Sequence, residues 1–499
     1  MADEVEIELG GRTRSSANFS RGKVSHVFIL LALAFSVMTA ALLFSALSRL
    51  GSNGVVDWAV VVSFIFNGVF SCYALIKDAV VRPYSLIQIH WLFFLAFFVV
   101  APLSQYASGY LCWDYLISDA SYLNANILLF VWAVIFFACS TVGVRHSRTG
   151  EKDIEGFFER LPQVSRSAVA VFVLLSVIAT AAIIFLVGFE NLFSRSTFSL
   201  GLDQTIGLLL EKVLRCTPLF AFAFVFVRFE QCRDCLGSLV LCGVLLLLAD
   251  FPFGMARYNA AAVYGGLLLL CVPLFKGHKG LFPLFFLFLF LVVFPASNVF
   301  RHNEFDLGLL ASAIADVFVS FGEGFSTEDY DAYSMFVRSV DYVSMLGATD
   351  GAQLCGALLF FIPRSIWPGK PVGSGVVMAI AQGQAFTNIS CPLPAEGIMN
   401  FGFVGLFLFA AIIGKLCRKI DDKGSLGGWA VFYPFLCFLF FFMLRGDMLS
   451  SFAYVIGFAA VYLAMFFFVS SFSRLRGSRL RRKGIKEDLS GFEGRRRVG

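Results

Sequence analysis

The chain has 499 residues, of which 58% are hydrophobic and only 15% charged, and it carries a formal net charge of +5. Soluble domains are nearer a quarter charged, so a water-soluble globular protein is excluded. Short alternating strands are absent, which excludes a β-barrel, and the positive charge sits mostly in loops and the C-terminal tail, where it needs no nucleic-acid partner.

Apolar runs of the length that spans a bilayer, about 20 residues, recur along the chain. In order they predict helices at 25–48, 55–76, 86–107, 123–144, 167–187, 206–228, 237–251, 258–275, 282–300, 402–417, 429–444 and 452–471. The first run, Val24 to Leu47, is too long for a signal-peptide core and is read as a spanning helix. About twelve spans put both termini on one side. Most Lys and Arg fall at the N-terminus, in alternate loops and in the tail from Arg474 to Arg497, so that side is cytoplasmic. The expected organisation is a cytoplasmic tail at 1–24, nine spanning helices over 25–300, a large extracytoplasmic loop at 301–401, three more helices over 402–471, and a basic cytoplasmic tail at 472–499.

The large loop carries the informative chemistry. Asp331 to Leu346 has helical spacing of Tyr333, Phe336, Val340 and Val343, and Gly351 to Ile362 is apolar but too short to span. Both read as short interfacial or re-entrant helices. Between them and the next span lies Phe360-Phe-Ile-Pro-Arg-Ser-Ile-Trp-Pro-Gly-Lys-Pro-Val-Gly-Ser-Gly375, with three prolines around Arg364 and Lys370. The other basic residues on this side are Arg49, Arg195, Arg257, Arg301, Arg338 and Arg445. Guanidinium groups bind phosphate in a fork and lysine acts as a point charge, so several facing one cavity would hold a pyrophosphate. In the sixth helix Glu211 and Arg215 stand i, i+4 and can pair, or Arg215 can line a cavity.

Metal and cofactor signals are weak. Asp329-Tyr-Asp331 has a D-x-D spacing, Cys232 and Cys235 a C-x-x-C spacing without a second pair, and His302 is the one histidine clearly on the outer side. No zinc-like cluster, P-loop or dinucleotide fingerprint occurs, so neither metal nor cofactor is expected. A disulfide among Cys112, Cys355 and Cys391 is left open.

The order Asp331-Ala-Tyr333, Phe361-Ile-Pro-Arg-Ser-Ile-Trp-Pro-Gly-Lys-Pro371, Asn388-Ile-Ser390, Glu396 and Phe401-Gly-Phe-Val-Gly405 resembles the O-antigen (Wzy-type) repeat-unit polymerases. Phe251-Pro-Phe-Gly-Met-Ala-Arg257 and Leu444-Arg-Gly446 resemble family positions too, and the likeness covers roughly residues 170 to 470. It implies a GT-C-like, many-helix, metal-independent glycosyltransferase at the outer face of a bacterial inner membrane. Such an enzyme moves a glycan from undecaprenyl pyrophosphate onto another lipid-linked repeat unit, often beside a chain-length regulator. On this reading Arg257, Arg364, Lys370 and Arg445 handle pyrophosphate, with Arg215, Arg301 and Arg338 behind them. Glu396 is the favoured general base and Asp341 the reserve. An O-antigen ligase, which resembles this family but depends on a loop histidine, and a lipid-linked oligosaccharide flippase, which would show half-to-half repeats, are the rivals.

Overall fold

A computed structural model of the chain describes residues 57–141, 157–158, 161–193, 204–252, 254–272, 274–296, 299, 306–319, 323–424 and 427–495. The expected first helix at 25–48, the N-terminal tail and Arg49, Arg195, Arg301 and His302 lie outside the described residues, as do 496–499 of the tail. Among the described residues the secondary structure is helical, with no strand. Six of these helices are long and apolar enough to cross a membrane: Trp58–Ala79, Leu86–Ser108, Asp119–Thr141, Arg166–Val187, Leu393–Gly424 and Met448–Ser471. The chain is an all-α membrane protein.

We label the helices in order: α1 Trp58–Ala79, α2 Leu86–Ser108, α3 Asp119–Thr141, α4 Arg166–Val187, α5 Gln204–Cys232 and α6 Leu236–Ala249. Then come α7, from Arg257–Ala260 into Gly266–Cys271, and α8, from Leu281–Phe288 into Phe294–Ala296. The loop helices are α9 Leu307–Val319, α10 Ala332–Leu346, α11 Ala352–Leu358 and α12 Ser374–Ala381. The last three are α13 Leu393–Gly424, α14 Trp429–Arg445 and α15 Met448–Arg495.

Residue chemistry sets the ends. Asp57, Ser85 and Ser165 cap α1, α2 and α4 by accepting backbone N–H bonds from Ala59, Gln88 and Ala168. Asp421 of α13 receives the N–H groups of Leu86 and Ile87 at 2.9 and 3.2 Å and the Tyr433 hydroxyl at 2.7 Å. A carboxylate at a helix N-terminus is favoured by the aligned peptide dipoles, and here it also ties three helices together. A helix that is apolar all round belongs inside a bundle. α2 obeys this: its spanning window is buried throughout, against α1, α13 and α14. Phe and Tyr rings supply much of that core, for example the contacts of Phe97 with Phe290, Tyr330 and Phe441 at 5.0, 5.5 and 5.9 Å.

Three helices change register through a π turn: α2 at Ala96–Val100, α7 at Ala261–Gly265 and α8 at Leu289–Val293. Such turns often mark functional regions, and these three lie in helices that feed the site below.

The segment expected to form the large loop is not a surface layer. Residues Ala332 to Ser339 of α10 are all buried, packed against α13 and α3. The expectation of an interfacial helix therefore gives way to one inserted into the protein. The reason is polar as well as apolar. Tyr333 donates to the Tyr122 carbonyl at 3.1 Å and to Asn126 at 3.0 Å, and Gln105 of α2 donates to the carbonyls of Phe325 and Tyr330 at 2.9 and 3.3 Å. Buried hydrogen bonds of this kind fix one docking position. The expected loop boundary at 401/402 coincides with a kink in α13, where Phe401 has φ −140° and Gly402 has φ 62°. All twelve cysteines are unpaired, Cys112, Cys355 and Cys391 included.

Candidate functional site

The site is assembled from separate stretches of the chain, the start of α7 with Arg257 among them. The loop 110–116 between α2 and α3 makes a tight 3-10 turn in which Trp113 and Asp114 have φ 58° and 52°. Bulky residues rarely adopt that backbone, and it persists only where surroundings enforce it. The turn aims the Trp113 ring at the segment 384–392, which has no regular secondary structure. Asp329 to Arg338, Ser390 and the end of α14 complete the group.

Asp331 is the knot. Its carboxylate is 1% exposed and accepts from the Ser390 hydroxyl at 2.6 Å, the Arg445 Nη2 at 3.2 Å, and the Ser390 N–H and Trp113 Nε1, both at 3.3 Å. Beside it Asp329 takes Arg257 Nη2 on both oxygens, at 2.8 and 3.0 Å. The two carboxylates of the D-x-D spacing thus each face an arginine. Among the described residues no group of His, Cys, Asp and Glu is placed to hold a metal ion. Aromatic rings form the floor, with the Arg257 guanidinium 4.7 Å from the Phe294 ring centre and that of Arg445 5.9 Å from Phe97.

Arg338 lies on α10 behind Trp113. Its Nη2 donates to the Trp113 carbonyl at 3.0 Å and its guanidinium sits 4.5 Å from the Tyr115 ring centre. Burial lowers its pKa from the ordinary arginine value. The Tyr115 hydroxyl in turn donates a short bond to Asp341, and burial followed by that bond holds the phenol well above its usual range. Asp341 is half-buried.

Glu396 is placed differently. It is 1% exposed, with Oε1 receiving the Met448 N–H at 2.8 Å and Oε2 receiving the Ser374 hydroxyl at 2.7 Å and Asn400 at 3.4 Å. Asp447 caps α15 through the N–H groups of Leu449 and Ser450 and also accepts the Gly375 N–H at 3.0 Å. Burial raises its pKa. Glu396 and Asp447 therefore pin Ser374-Gly375 to the starts of α13 and α15. The glycines there are needed for close approach, because a Cβ on Gly375 would lie 2.5 Å from the Ile389 carbonyl oxygen.

The Pro-rich stretch uses its cations internally. Arg364 donates to the carbonyls of Lys370 at 2.6 Å and Pro371 at 3.3 Å, and the Lys370 ammonium donates to those of Phe360 at 2.6 Å and Ile362 at 3.0 Å. Lys370 is buried, and the two side chains brace the turn. Arg215 pairs with Glu211 at 3.0 Å, as the spacing predicts, and lies 3.7 Å from Asp250, apart from the Asp331 group. Of the sequence-derived cations, Arg257, Arg338 and Arg445 come together; Arg364, Lys370 and Arg215 do not join them. Sequence reasoning missed Trp113, Tyr115 and Ser374. Only the loop's aromatic density, Tyr110 to Tyr115, could have drawn attention to the first two.

No family model, no curated protein and no solved structure matches this chain.

Proposed function

We propose that the protein polymerises undecaprenyl-pyrophosphate-linked oligosaccharide repeat units at the outer face of a bacterial inner membrane, with about twelve spans, a GT-C-like arrangement and both termini cytoplasmic. The observation that supports this most is the convergence of Arg257 and Arg445 on Asp329 and Asp331, beside the buried start of α10. A pre-placed set of guanidinium groups suits a leaving group that gains negative charge, commonly the largest catalytic contribution.

The reaction assigned to this geometry is a single displacement. An acceptor-sugar hydroxyl oxygen attacks the anomeric carbon of the donor glycan. The bond from that carbon to the pyrophosphate oxygen breaks, and its electron pair leaves with the lipid pyrophosphate toward Arg257 and Arg445. The hydroxyl proton passes to a carboxylate. Asp341 fits that role better than Glu396, because it is half-buried and oriented by Tyr115, whereas both oxygens of Glu396 are engaged in the interior. Glu396 is then a positioning residue. Arg364 and Lys370 shape the loop rather than grip phosphate.

The test is deletion of the gene with plasmid copies of wild type, Arg445→Gln and Asp341→Asn, reading surface polysaccharide on a gel. Long chains should collapse to a single repeat and return only with wild type. If the ladder is unchanged by deletion, or if no repeat reaches the surface at all, the polymerase reading fails.

A further inference from the structure

Arg338 carries a charge that the protein itself does not balance. The residue is 1% exposed, and its Nε and Nη1 are buried without a hydrogen-bond partner. Among the described residues no carboxylate lies within ion-pair distance of it. Asp331 is near enough for its charge to be felt, but its oxygens are taken by Arg445, Ser390 and Trp113. A buried, unpaired cation is expensive, and one aromatic face under it offsets only ~0.5–2 kcal/mol. The missing component is an anion.

The surroundings indicate which kind. The Trp113 and Phe386 rings stack with centroids 5.9 Å apart and an interplanar angle of 29°. Phe386 is 49% exposed, so the outer face of this stack is apolar and open at the protein surface, on the residue whose carbonyl Arg338 holds. Gln384 donates to the same Trp113 carbonyl that Arg338 uses, at 3.3 Å. A sugar ring presents a face of C–H groups that packs on such a platform, and a carboxylate on that ring neutralises one guanidinium. A pyrophosphate carries more charge than Arg338 balances and has no flat apolar face.

We propose that Arg338, Trp113 and Phe386 form a subsite for a sugar ring bearing a carboxylate, a uronate, with the carboxylate accepting the unpartnered N–H groups of Arg338. This rests on the polymerase reading only in assigning that sugar to the glycan being lengthened.

The probe is methyl β-D-glucuronide against methyl β-D-glucoside, titrated onto the full-length protein in lipid nanodiscs and read by saturation-transfer NMR. The glucuronide should bind at least tenfold more tightly than the glucoside. Arg338→Gln and Phe386→Ala should each weaken it about tenfold. Phe386 is at the surface, so its variant decides the matter if Arg338→Gln does not fold. Equal binding of the two glycosides overturns the proposal, as does glucuronide binding that survives the substitutions. Displacement by inorganic phosphate at lower concentration than the glucuronide needs would make this a phosphate site and overturns it too. Failure here with an intact deletion phenotype sinks the subsite alone. Glucuronide binding without any change of the polysaccharide ladder on deletion sinks the polymerase reading alone.

Discussion

Replacing Asp331 by alanine should destabilise the protein far more than replacing Asp329, although the two are chemically identical and two residues apart. Asp331 is 1% exposed and accepts four hydrogen bonds, one from the Arg445 guanidinium. Its loss leaves the Trp113 indole N–H and two donors of Ser390 without their acceptor in the interior, and takes an ion pair from Arg445, whose side chain is 30% exposed. Each buried donor left unsatisfied costs about 1–3 kcal/mol, so the three together should cost at least about 3 kcal/mol. Asp329 meets Arg257, whose side chain, 27% exposed, is about as open to water as that of Arg445, and the loss of this screened pair should cost on the order of 1 kcal/mol. Equilibrium unfolding in detergent, followed by tryptophan fluorescence at low and at 0.5 M salt, measures both. Salt should erase much of the Asp329 effect and little of the Asp331 effect. Equal losses, or an Asp331→Ala variant as stable as wild type, would refute the view that Asp331 holds four chain segments together.

Other outcomes follow from the same geometry. Gly375→Ala should lower stability by roughly 1–3 kcal/mol, because its Cβ meets a backbone carbonyl oxygen. Gly369→Ala, with nothing within 4 Å of the new atom, should be near neutral in the same thermal assay. Arg364→Lys should loosen the turn at 360–371 and speed limited proteolysis there, since one ammonium cannot reproduce the fork onto the Lys370 and Pro371 carbonyls. Lys276, between α7 and α8, has its pKa lowered to about 7 by burial, and its ammonium rests 3.8 Å from the Phe157 ring centre. The unfolded chain therefore binds more protons than the folded one between about pH 7 and the ordinary lysine value, so stability should rise across that window. Lys276→Met should flatten the rise in a pH series of unfolding midpoints.

The helix bodies could be read directly because each rests on a run of about 20 apolar residues. The expected 86–107 and 167–187 lie within a residue of Leu86–Ser108 and Arg166–Val187. What the sequence left hidden was direction. Arg364 and Lys370 stand between prolines either way, and nothing local reveals that their donors turn onto their own backbone. The Asp331 group was hidden by separation, since Trp113, Ser390 and Arg445 are 218, 59 and 114 residues from it. The burial of α10 was hidden because the partners of Tyr333 lie 207 and 211 residues earlier in the chain. An amphipathic stretch looks the same whether it meets lipid or protein.

The enclosed position of α2 also dictates an order of assembly. It leaves the ribosome soon after α1, yet two of the helices that cover it, α13 and α14, are made about three hundred residues later. In the interval the segment must survive in lipid it will never touch in the finished protein, which accounts for an oily composition in a helix with no lipid-facing side. It also carries Gln88, His90, Ser104 and Gln105, all buried in the end state. Gln88 and His90 find partners early in the chain, in Asp78, Arg82 and Trp132, whereas Gln105 must wait for the carbonyls of Phe325 and Tyr330. A truncated chain ending before Phe325 would leave Gln105 without those carbonyls, the kind of defect by which membrane quality control recognises an unfinished product.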